Sequence, residues 1–290
     1  MSQSAAISAF PIERSATQHV REIPPLARSE VMPQARVELD RFLALVEHLS
    51  PDDLQQRTDC ALWSVKDIVA HQASHVTGLV SVGECLNQFN PRNYREYTAK
   101  GMNTLDAANQ RQVDMRADRT LAELIAEMRE NAEPSFAGRQ RFPFFLRWVR
   151  MPVPGFDGRI SIGYLIDTIY TRDMWMHRVD IARVTGREMV LTPEHDGRIV
   201  ALIVREVDGR LGKALGTTSV TLRLTGPAGG EWIAGGANAP SALLEFDLVE
   251  FNRLASGRTT AQHVLDHGLV RIDGERAAAE TALRNIVVLY

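Results

Sequence analysis

An aspartate and a histidine stand four positions apart in the segment TRDMWMHRVD, residues 171–180. On an α-helix, residues at positions i and i+4 lie on the same face, so Asp173 and His177 are expected to project together. Asp180 follows one turn later on the same stripe. A carboxylate and an imidazole in this arrangement can bind one cation together. The Glu-x-x-His pairs of carboxylate-bridged helical bundles do the same with a spacing of three residues instead of four. The segment therefore predicts part of a metal site on one helix.

A second helical segment carries His71 and His75, which are also four residues apart. One ligand from this segment would complete a three-ligand site, and the spacing does not choose between the two histidines. Three protein ligands and an open position are typical of catalytic zinc, although two histidines and one carboxylate also suit iron(II). The same spacing occurs in His263 and His267, which we interpret as a surface pair. Spacing alone therefore also allows a simple Asp–His hydrogen bond.

The elements that must position these residues are predicted to be long helices. Apolar residues recur at helical spacing in residues 34–49, 64–89 and 161–185, and residues 103–133, rich in Ala, Leu, Glu, Arg and Met, are predicted to form one or two helices. Ser64 and Asp67 form a capping-box pattern at the start of the second helix, Pro134 is predicted to end the third, and Gly186 the fourth. Four long helices in series favour a four-helix bundle.

The stretch between the third and fourth helices, residues 134–160, combines prolines with aromatic side chains. We interpret it as a loop that can include a short helical piece. Its aromatic residues are assigned to the core, with pocket lining as the alternative. Its aromatic residues are Phe136, Phe142, Phe144, Phe145, Trp148 and Phe156.

The pattern changes to α+β after Pro193. Residues 194–214 are predicted to be helical, and residues 219–224 alternate as a strand that places Val220, Leu222 and Leu224 on one face. Further strands are predicted near Trp232 and over residues 242–248 and 270–272, with a last helix over residues 277–287. The chain is thus divided into an N-terminal extension (1–30), a helical bundle (31–190) and an α+β domain (191–290).

The composition limits the classes of function. The chain has 290 residues, and its 44% hydrophobic and 24% charged residues are typical of globular proteins. A net charge of −3 does not favour a nucleic-acid partner. Two cysteines, Cys60 and Cys85, are too few for a disulfide framework and suit a reducing compartment. No stretch approaches the ~18 apolar residues of a membrane span, and no secretory signal is visible. We expect a cytoplasmic protein that binds a small molecule, with neither nucleic acid nor membrane as partner, and in an oligomeric state that the sequence leaves open.

Two distant segments together carry a family resemblance. CALWSVKDIVAH (60–71), followed by RDMWMHRVDIARVTG (172–186), resembles the DinB-like superfamily and, within it, the mycothiol-dependent maleylpyruvate isomerase family. The matching positions are Cys60, Trp63, His71, Asp173, His177 and Asp180. The resemblance implies a divalent metal, usually zinc, held by His71, Asp173 and His177, and mycothiol as thiol cofactor. The family has Glu where this chain has Asp173, which is one methylene shorter.

The resemblance continues into the second half, where residues 243–283 look like the sterol-carrier-like C-terminal domain of the same family. The matching positions are Gly257, Arg258, Gly268, Val270 and Gly274. The implied fold is a DinB-like four-helix bundle followed by a smaller α+β sterol-carrier-like domain.

Two further residues are predicted to be catalytic. A histidine that binds a metal through one ring nitrogen usually donates a hydrogen bond from the other, which fixes its tautomer and orientation. Asp180 is expected to accept this hydrogen bond from a histidine across the bundle. Arg271 is expected to clamp an anionic substrate from the C-terminal domain, with Arg276 as the alternative.

Three functions are compatible with this pattern. The first is a metal-dependent enzyme that uses mycothiol for isomerisation or S-transfer on a small electrophilic substrate. The second is a metal-dependent hydrolase in the same pocket. The third is a non-catalytic protein that binds a lipid or another small molecule. The sequence favours the first and does not identify the substrate.

Overall fold

A computed structural model describes residues 17–154 and 158–290, as a helical part followed by a part built on a mixed sheet. The helices are α1 (Arg28–Val46), α2 (Pro51–Gln55), α3 (Val65–Gly78), α4 (Val82–Gln88), α5 (Arg95–Ala99), α6 (Thr104–Asp114), α7 (Leu121–Arg141), α8 (Phe144–Arg147), α9 (Ile162–Tyr164), α10 (Tyr170–Thr185), α11 (Arg198–Leu215), α12 (Leu248–Ala255), α13 (Ala261–Asp266) and α14 (Arg276–Asn285). The strands are β1 (Gln18–His19), β2 (Arg150–Pro152), β3 (Arg159–Ser161), β4 (Ser219–Thr225), β5 (Gly230–Gly235), β6 (Pro240–Asp247) and β7 (Val270–Gly274). Within the described ranges, no helix has the length and apolar character that crossing a bilayer requires.

The core of the helical part is formed by α1, α3, α7 and α10. Each contributes an inward stripe, and Phe42, Ile68, Leu124 and Ile181, one from each helix, are fully buried in the same cluster. Burying side chains of this size contributes roughly 1.5–3 kcal/mol each. This packing holds α3 and α10, which carry the predicted ligands, side by side.

The predicted helices exist, and the third predicted segment forms two of them, α6 and α7, but several helix ends differ from the prediction. The segment 64–89 is two helices, because α3 ends at Gly78 and the Ser81 hydroxyl caps α4 by accepting from the Glu84 amide. The prediction that Pro134 ends the third helix is wrong, since α7 continues to Arg141. Proline removes one helical hydrogen bond, and the buried side chains of Phe136 and Arg139 in the following turn offset that loss. Gly186, at φ 68°, ends α10 as predicted.

A close contact between α7 and the end of α3 gives a testable prediction. A Cβ added at Gly138 would lie 1.9 Å from the main-chain oxygen of Leu79. Because two backbones would have to separate, we expect Gly138→Ala to lower the free energy of unfolding by about 1–3 kcal/mol or more. Gly209→Ala is the matched control, because Gly209 is an exposed residue inside α11 and an added Cβ would have no atom within 4 Å. This substitution should raise the free energy of unfolding by about 0.5–1 kcal/mol. Urea unfolding measures both, and effects of the same sign would contradict the contact.

The second half contains a five-stranded sheet of order β1-β5-β4-β6-β7. The central strand β4 pairs antiparallel with β5 and parallel with β6, and β6 pairs antiparallel with β7. Val220, Leu222 and Leu224 are buried on one face of β4, as predicted. Helices α11 and α14 pack on the sheet. The C-terminal core also includes Trp175 and Val179 of α10, so one face of that helix joins the two parts.

The predicted N-terminal extension is described only from residue 17; residues 1–16 lie outside the described residues. Gln18 and His19 add a parallel edge strand to the sheet, opposite Trp232 and Ile233. The Arg21 guanidinium donates to the main-chain oxygen of Gly235, 3.1 Å away. The described part of the extension is therefore a component of the C-terminal sheet, and α1 already begins at Arg28.

The aromatic stretch differs from the predicted loop. Its first residues belong to α7, and a two-stranded hairpin, β2–β3, follows the short helix α8. Phe136 and Phe142 are buried as predicted. Phe144, Phe145 and Trp148 are instead 74%, 62% and 78% exposed, so they belong neither to the core nor to a pocket. Phe156 lies outside the described residues.

Candidate metal centre

A capping box fixes the first residue of α3, the helix that carries His71 and His75. The Ser64 hydroxyl accepts from the Asp67 amide at 3.3 Å, and the Asp67 carboxylate accepts from the Ser64 amide at 2.9 Å. This reciprocal capping box, predicted from the sequence, satisfies two amides that the helix itself leaves unpaired. With α3 begun at Val65, His71 lies on the side that contacts α10 and is 1% exposed.

The three predicted ligands come together between α3 and α10. Nε2 of His71 lies 3.4 Å from Oδ2 of Asp173, and Nε2 of His177 lies 3.4 Å from Oδ1 of the same carboxylate. Both imidazoles are almost fully buried, and the Asp173 side chain is 14% exposed. The aspartate thus stands between the two rings and faces the opening of the site.

The second nitrogen of each ring is held by a polar side chain. Nδ1 of His71 lies 3.0 Å from Oε1 of Gln112, and Nδ1 of His177 lies 2.9 Å from Oδ2 of Asp180. An N–H at Nδ1 donating to these oxygens leaves the Nε2 lone pair free for a cation. Asp180 therefore holds the ring on its own helix, three residues earlier, and not one across the bundle as predicted. Gln112 lies on α6, and no pattern in the sequence indicated that it would contact a metal ligand.

Asp180 is itself held by an arginine from the C-terminal part. Nε and Nη2 of Arg258 each donate to one Asp180 oxygen, both at 2.6 Å. Burial disfavours the charged carboxylate, but the facing Arg258 guanidinium keeps the pKa of Asp180 below its usual value. Arg258 follows Gly257, whose φ of 76° turns the chain after α12.

Arg271 and Arg276 stand elsewhere. The Arg271 side chain, on β7, is 78% exposed and lies 3.9 Å from Glu245. Arg276 is exposed and pairs with Glu280 on α14. The structure brings neither to the histidine cluster; the arginine that it places there is Arg258, which the sequence identified only as a fold position.

The cluster has an internal balance of charge. Burial disfavours the imidazolium of His177, but Asp173 and Asp180 outweigh it and raise its pKa to about 9. Burial likewise opposes the charge on Asp173, whose pKa is nevertheless held well below its usual range by His177 and His71. Burial lowers the pKa of His71, and burial together with the neighbouring His71 lowers that of His75 further. A cation bound at Nε2 of His177 would displace the proton that the two carboxylates favour on that ring.

Two residues of α3 complete the surroundings of Asp173. Nε2 of Gln72 donates to Oδ2 of Asp173 at 2.6 Å. Nδ1 of His75 lies 3.3 Å from the same oxygen and has no hydrogen-bond partner among the described residues. His71, His75 and Asp173 each offer one ligand atom, and these atoms lie within 4.8 Å of one another.

The donor set fits a divalent metal. Ligand atoms about 2.0–2.1 Å from a tetrahedral zinc lie about 3.3 Å apart, close to the 3.4 Å that separates Nε2 of His71 and Nε2 of His177 each from an oxygen of Asp173. Glu38, His195 and Asp196 also converge within 4.8 Å. That group is already neutralised, because Arg178 donates to both carboxylates and His195 pairs with Glu38. It is an ion-pair network that links α1 and α10 to the segment before α11, and the carboxylates in it are already paired with cationic side chains.

A cleft of about 350 Å³ leads from the surface to the cluster. Its walls combine the helical part with the C-terminal part, and include Cys60, Trp63, His71, Asn109, Asp173, His177, Ser256, Arg258, Val288 and Tyr290. Burial raises the pKa of the Cys60 thiol to about 12. That thiol therefore stays protonated at neutral pH, which argues against a role as nucleophile.

Comparisons with known proteins agree with this arrangement. The sequence model of the family described as "Mycothiol maleylpyruvate isomerase N-terminal domain" matches residues 35–182. Two solved structures, the mycothiol-dependent maleylpyruvate isomerase and a histidine-to-alanine mutant of it, resemble the chain with a TM-score of 0.52 each. Their sequences are 14% and 13% identical to it, over 89% of this chain and 97% of theirs, so the likeness shows a shared fold. Among curated proteins, none matches the chain.

Proposed function

The chain belongs to the family of the mycothiol maleylpyruvate isomerase N-terminal domain, and on that premise we propose that it is a metal-dependent enzyme that uses mycothiol to isomerise a small electrophilic substrate. The alternative within this proposal is S-transfer, in which the thiol stays on the substrate instead of being released. In this proposal the helical part is a DinB-like four-helix bundle and the α+β part a sterol-carrier-like domain. The fold shared over 89% of the chain supports both assignments.

One observation carries the proposal: two buried imidazoles direct Nε2 at the two oxygens of one carboxylate, 3.4 Å away, beside an open cleft. We assign His71, Asp173 and His177 as ligands of a divalent metal, most often zinc in this family. When bound, the metal would lower the pKa of a thiol, and the thiol would supply the nucleophile. Gln112 and Asp180 keep Nδ1 of the two rings protonated, so that both Nε2 atoms stay available.

The cleft suggests what the substrate carries. Arg258 has five N–H donors, of which those at Nε and Nη2 bond to Asp180. Its side chain lines the cleft, where its other donors can take an anionic group of a substrate. Trp63 and Val288 contribute apolar surface to the wall of the same cleft. We therefore assign to Arg258 the substrate-clamping role that was expected for Arg271, and we expect a substrate that bears a carboxylate.

Two measurements test the function. Elemental analysis of protein purified without added metal should find about one zinc per chain, for one three-ligand site. Turnover of maleylpyruvate should then require both mycothiol and metal, and should stop when a chelator removes the ion. Hydrolysis that needs metal but no thiol would identify the hydrolase, and copurified lipid without any turnover would identify the binding protein; either result would refute the proposal.

A further inference from the structure

We propose that the surface formed by α8 and the β2–β3 hairpin binds an anionic phospholipid membrane. This surface, the aromatic–arginine patch, consists of the exposed side chains of Arg141, Phe144, Phe145, Trp148, Arg150 and Arg159. The sequence predicts no membrane partner because it contains no apolar span, but a protein can bind the surface of a bilayer without crossing it. The proposal does not depend on the metal centre.

The aromatic half of the patch consists of three side chains that leave one face of α8. Phe144 and Trp148 are four positions apart and Phe145 is three positions from Trp148, so the three share a helix face. Each is more than half exposed, and the rings of Phe144 and Phe145 lie edge to face with centroids 5.9 Å apart. Large apolar side chains that are grouped in this way on a protein surface mark an interaction site.

Contacts on the inner side of α8 hold these rings outward. Leu146 packs into the apolar cluster beneath the helix. Arg147 forms an ion pair with Asp167 and donates to the main-chain oxygen of Arg139, 3.3 Å away. A Cβ added at Gly163 would lie 3.2 Å from the main-chain oxygen of Arg147, so α9 packs directly against α8. The three rings are therefore exposed because the fold fixes this short helix in one orientation.

The other half of the patch is basic. The register pairs that contain Arg150 and Arg159 are two residues apart, so both arginines lie on one face of the hairpin, and Met151 of the intervening pair packs inward on the other. Each guanidinium donates to the main-chain oxygen of the other arginine. Arg141, just before α8, is exposed as well. No carboxylate in the described ranges forms an ion pair with any of the three, so the patch joins apolar rings to positive charges without acidic partners there.

This combination fits an anionic lipid surface better than a second copy of the chain. In a symmetric dimer the patch would face itself, which would bring the arginines of both copies together. At a bilayer, Trp and Phe rings enter the boundary between headgroups and acyl chains, and arginines bind the phosphates. The chain as a whole has a net charge of −3, so its attraction to an anionic surface has to come from a local basic patch.

Tryptophan fluorescence of the full chain tests the proposal directly. All four tryptophans lie in the described ranges, and Trp148 is exposed whereas Trp63, Trp175 and Trp232 are buried. With vesicles of equal parts phosphatidylglycerol and phosphatidylcholine, we expect a blue shift and quenching by brominated acyl chains. Vesicles of phosphatidylcholine alone should bind about 100-fold more weakly, because each of three arginines near an anionic surface contributes about fivefold. No spectral change with the mixed vesicles, or equal binding to both kinds, would overturn the proposal.

Substitutions of exposed residues locate the contact, with vesicle sedimentation as the measurement. Trp148→Ala should weaken binding to the mixed vesicles by about tenfold or more, because a large apolar side chain no longer enters the bilayer. Met115→Ala is the matched control, since Met115 is an apolar residue at the end of α6 and is 60% exposed. This variant should bind as the parent does. Equal binding by the parent and Trp148→Ala would overturn the proposal.

Two further outcomes would also overturn the proposal, because they identify a different occupant. Self-association of the parent chain that Trp148→Ala abolishes, measured by analytical ultracentrifugation and without vesicle binding, would show that the patch is a contact between copies. Binding to soluble polyglutamate as tight as binding to the mixed vesicles would show that the patch takes an acidic protein. Neither outcome affects the proposed function.

Discussion

Replacing Asp173 by alanine is expected to remove the metal and lower kcat/KM of the thiol-dependent reaction by about 1,000-fold or more. Asp173 is the only acidic residue among the assigned ligands, and both Nε2 atoms face it at 3.4 Å. A metal contributes several kcal/mol to a reaction of this kind, and each 1.4 kcal/mol is a factor of ten. Elemental analysis and steady-state kinetics of the purified variant measure the two effects.

Two companion variants sharpen this prediction. Asp173→Glu introduces the acid found at this position in the family, and it should retain metal because the carboxylate is preserved. His263→Ala alters a histidine of an exposed pair whose rings stack at 3.9 Å, and should change neither metal content nor rate. Metal that persists in the combined Asp173→Ala, His177→Ala variant would show that the site is assigned to the wrong residues.

Arg258→Met is expected to lower the free energy of unfolding by about 3–5 kcal/mol, the usual cost of removing one partner from a buried ion pair. The Asp180 side chain is 0% exposed, and both of its oxygens accept from Arg258. Without the guanidinium, this carboxylate stays buried beside His177 alone. Activity should fall as well, because the cleft also loses the guanidinium that is proposed to bind the anionic group of the substrate. Urea unfolding and kcat/KM report the two losses separately.

A double variant separates ion pairing from positioning. Arg258→Met combined with Asp180→Leu should recover much of the stability, since an apolar pair replaces the ion pair. It should not recover activity, because Nδ1 of His177 has lost its acceptor. Arg284→Met, at an exposed position of α14, is the stability control and should stay within about 0.5 kcal/mol of the parent. An Arg258→Met variant as stable as this control would contradict the buried pairing. The same two measurements on Arg271→Met test the catalytic role that was predicted for it from the sequence.

Where a feature depends on residues close together in the chain, the sequence was sufficient. The four-residue step from Asp173 to His177 puts both on one face of any α-helix, and Ser64 with Asp67 starts α3 wherever that helix packs. Alternating Val220, Leu222 and Leu224 likewise predicted the buried face of β4. These patterns follow from helix and strand geometry, which repeats over a few residues.

Only the tertiary structure decided which distant groups meet. Gln112 reaches His71 from 41 positions away, and Arg258 reaches Asp180 from 78, so no local spacing could reveal either pair. Packing also overrode a local rule, because the buried turn after Pro134 keeps α7 helical. His75 lies four residues from His71, the same spacing as in the exposed pair His263 and His267. Only the structure shows that the ring of His75 is buried and stacks on Tyr170. A helix determines the direction in which a side chain leaves it, whereas the neighbour that it meets depends on how whole helices and the sheet pack together.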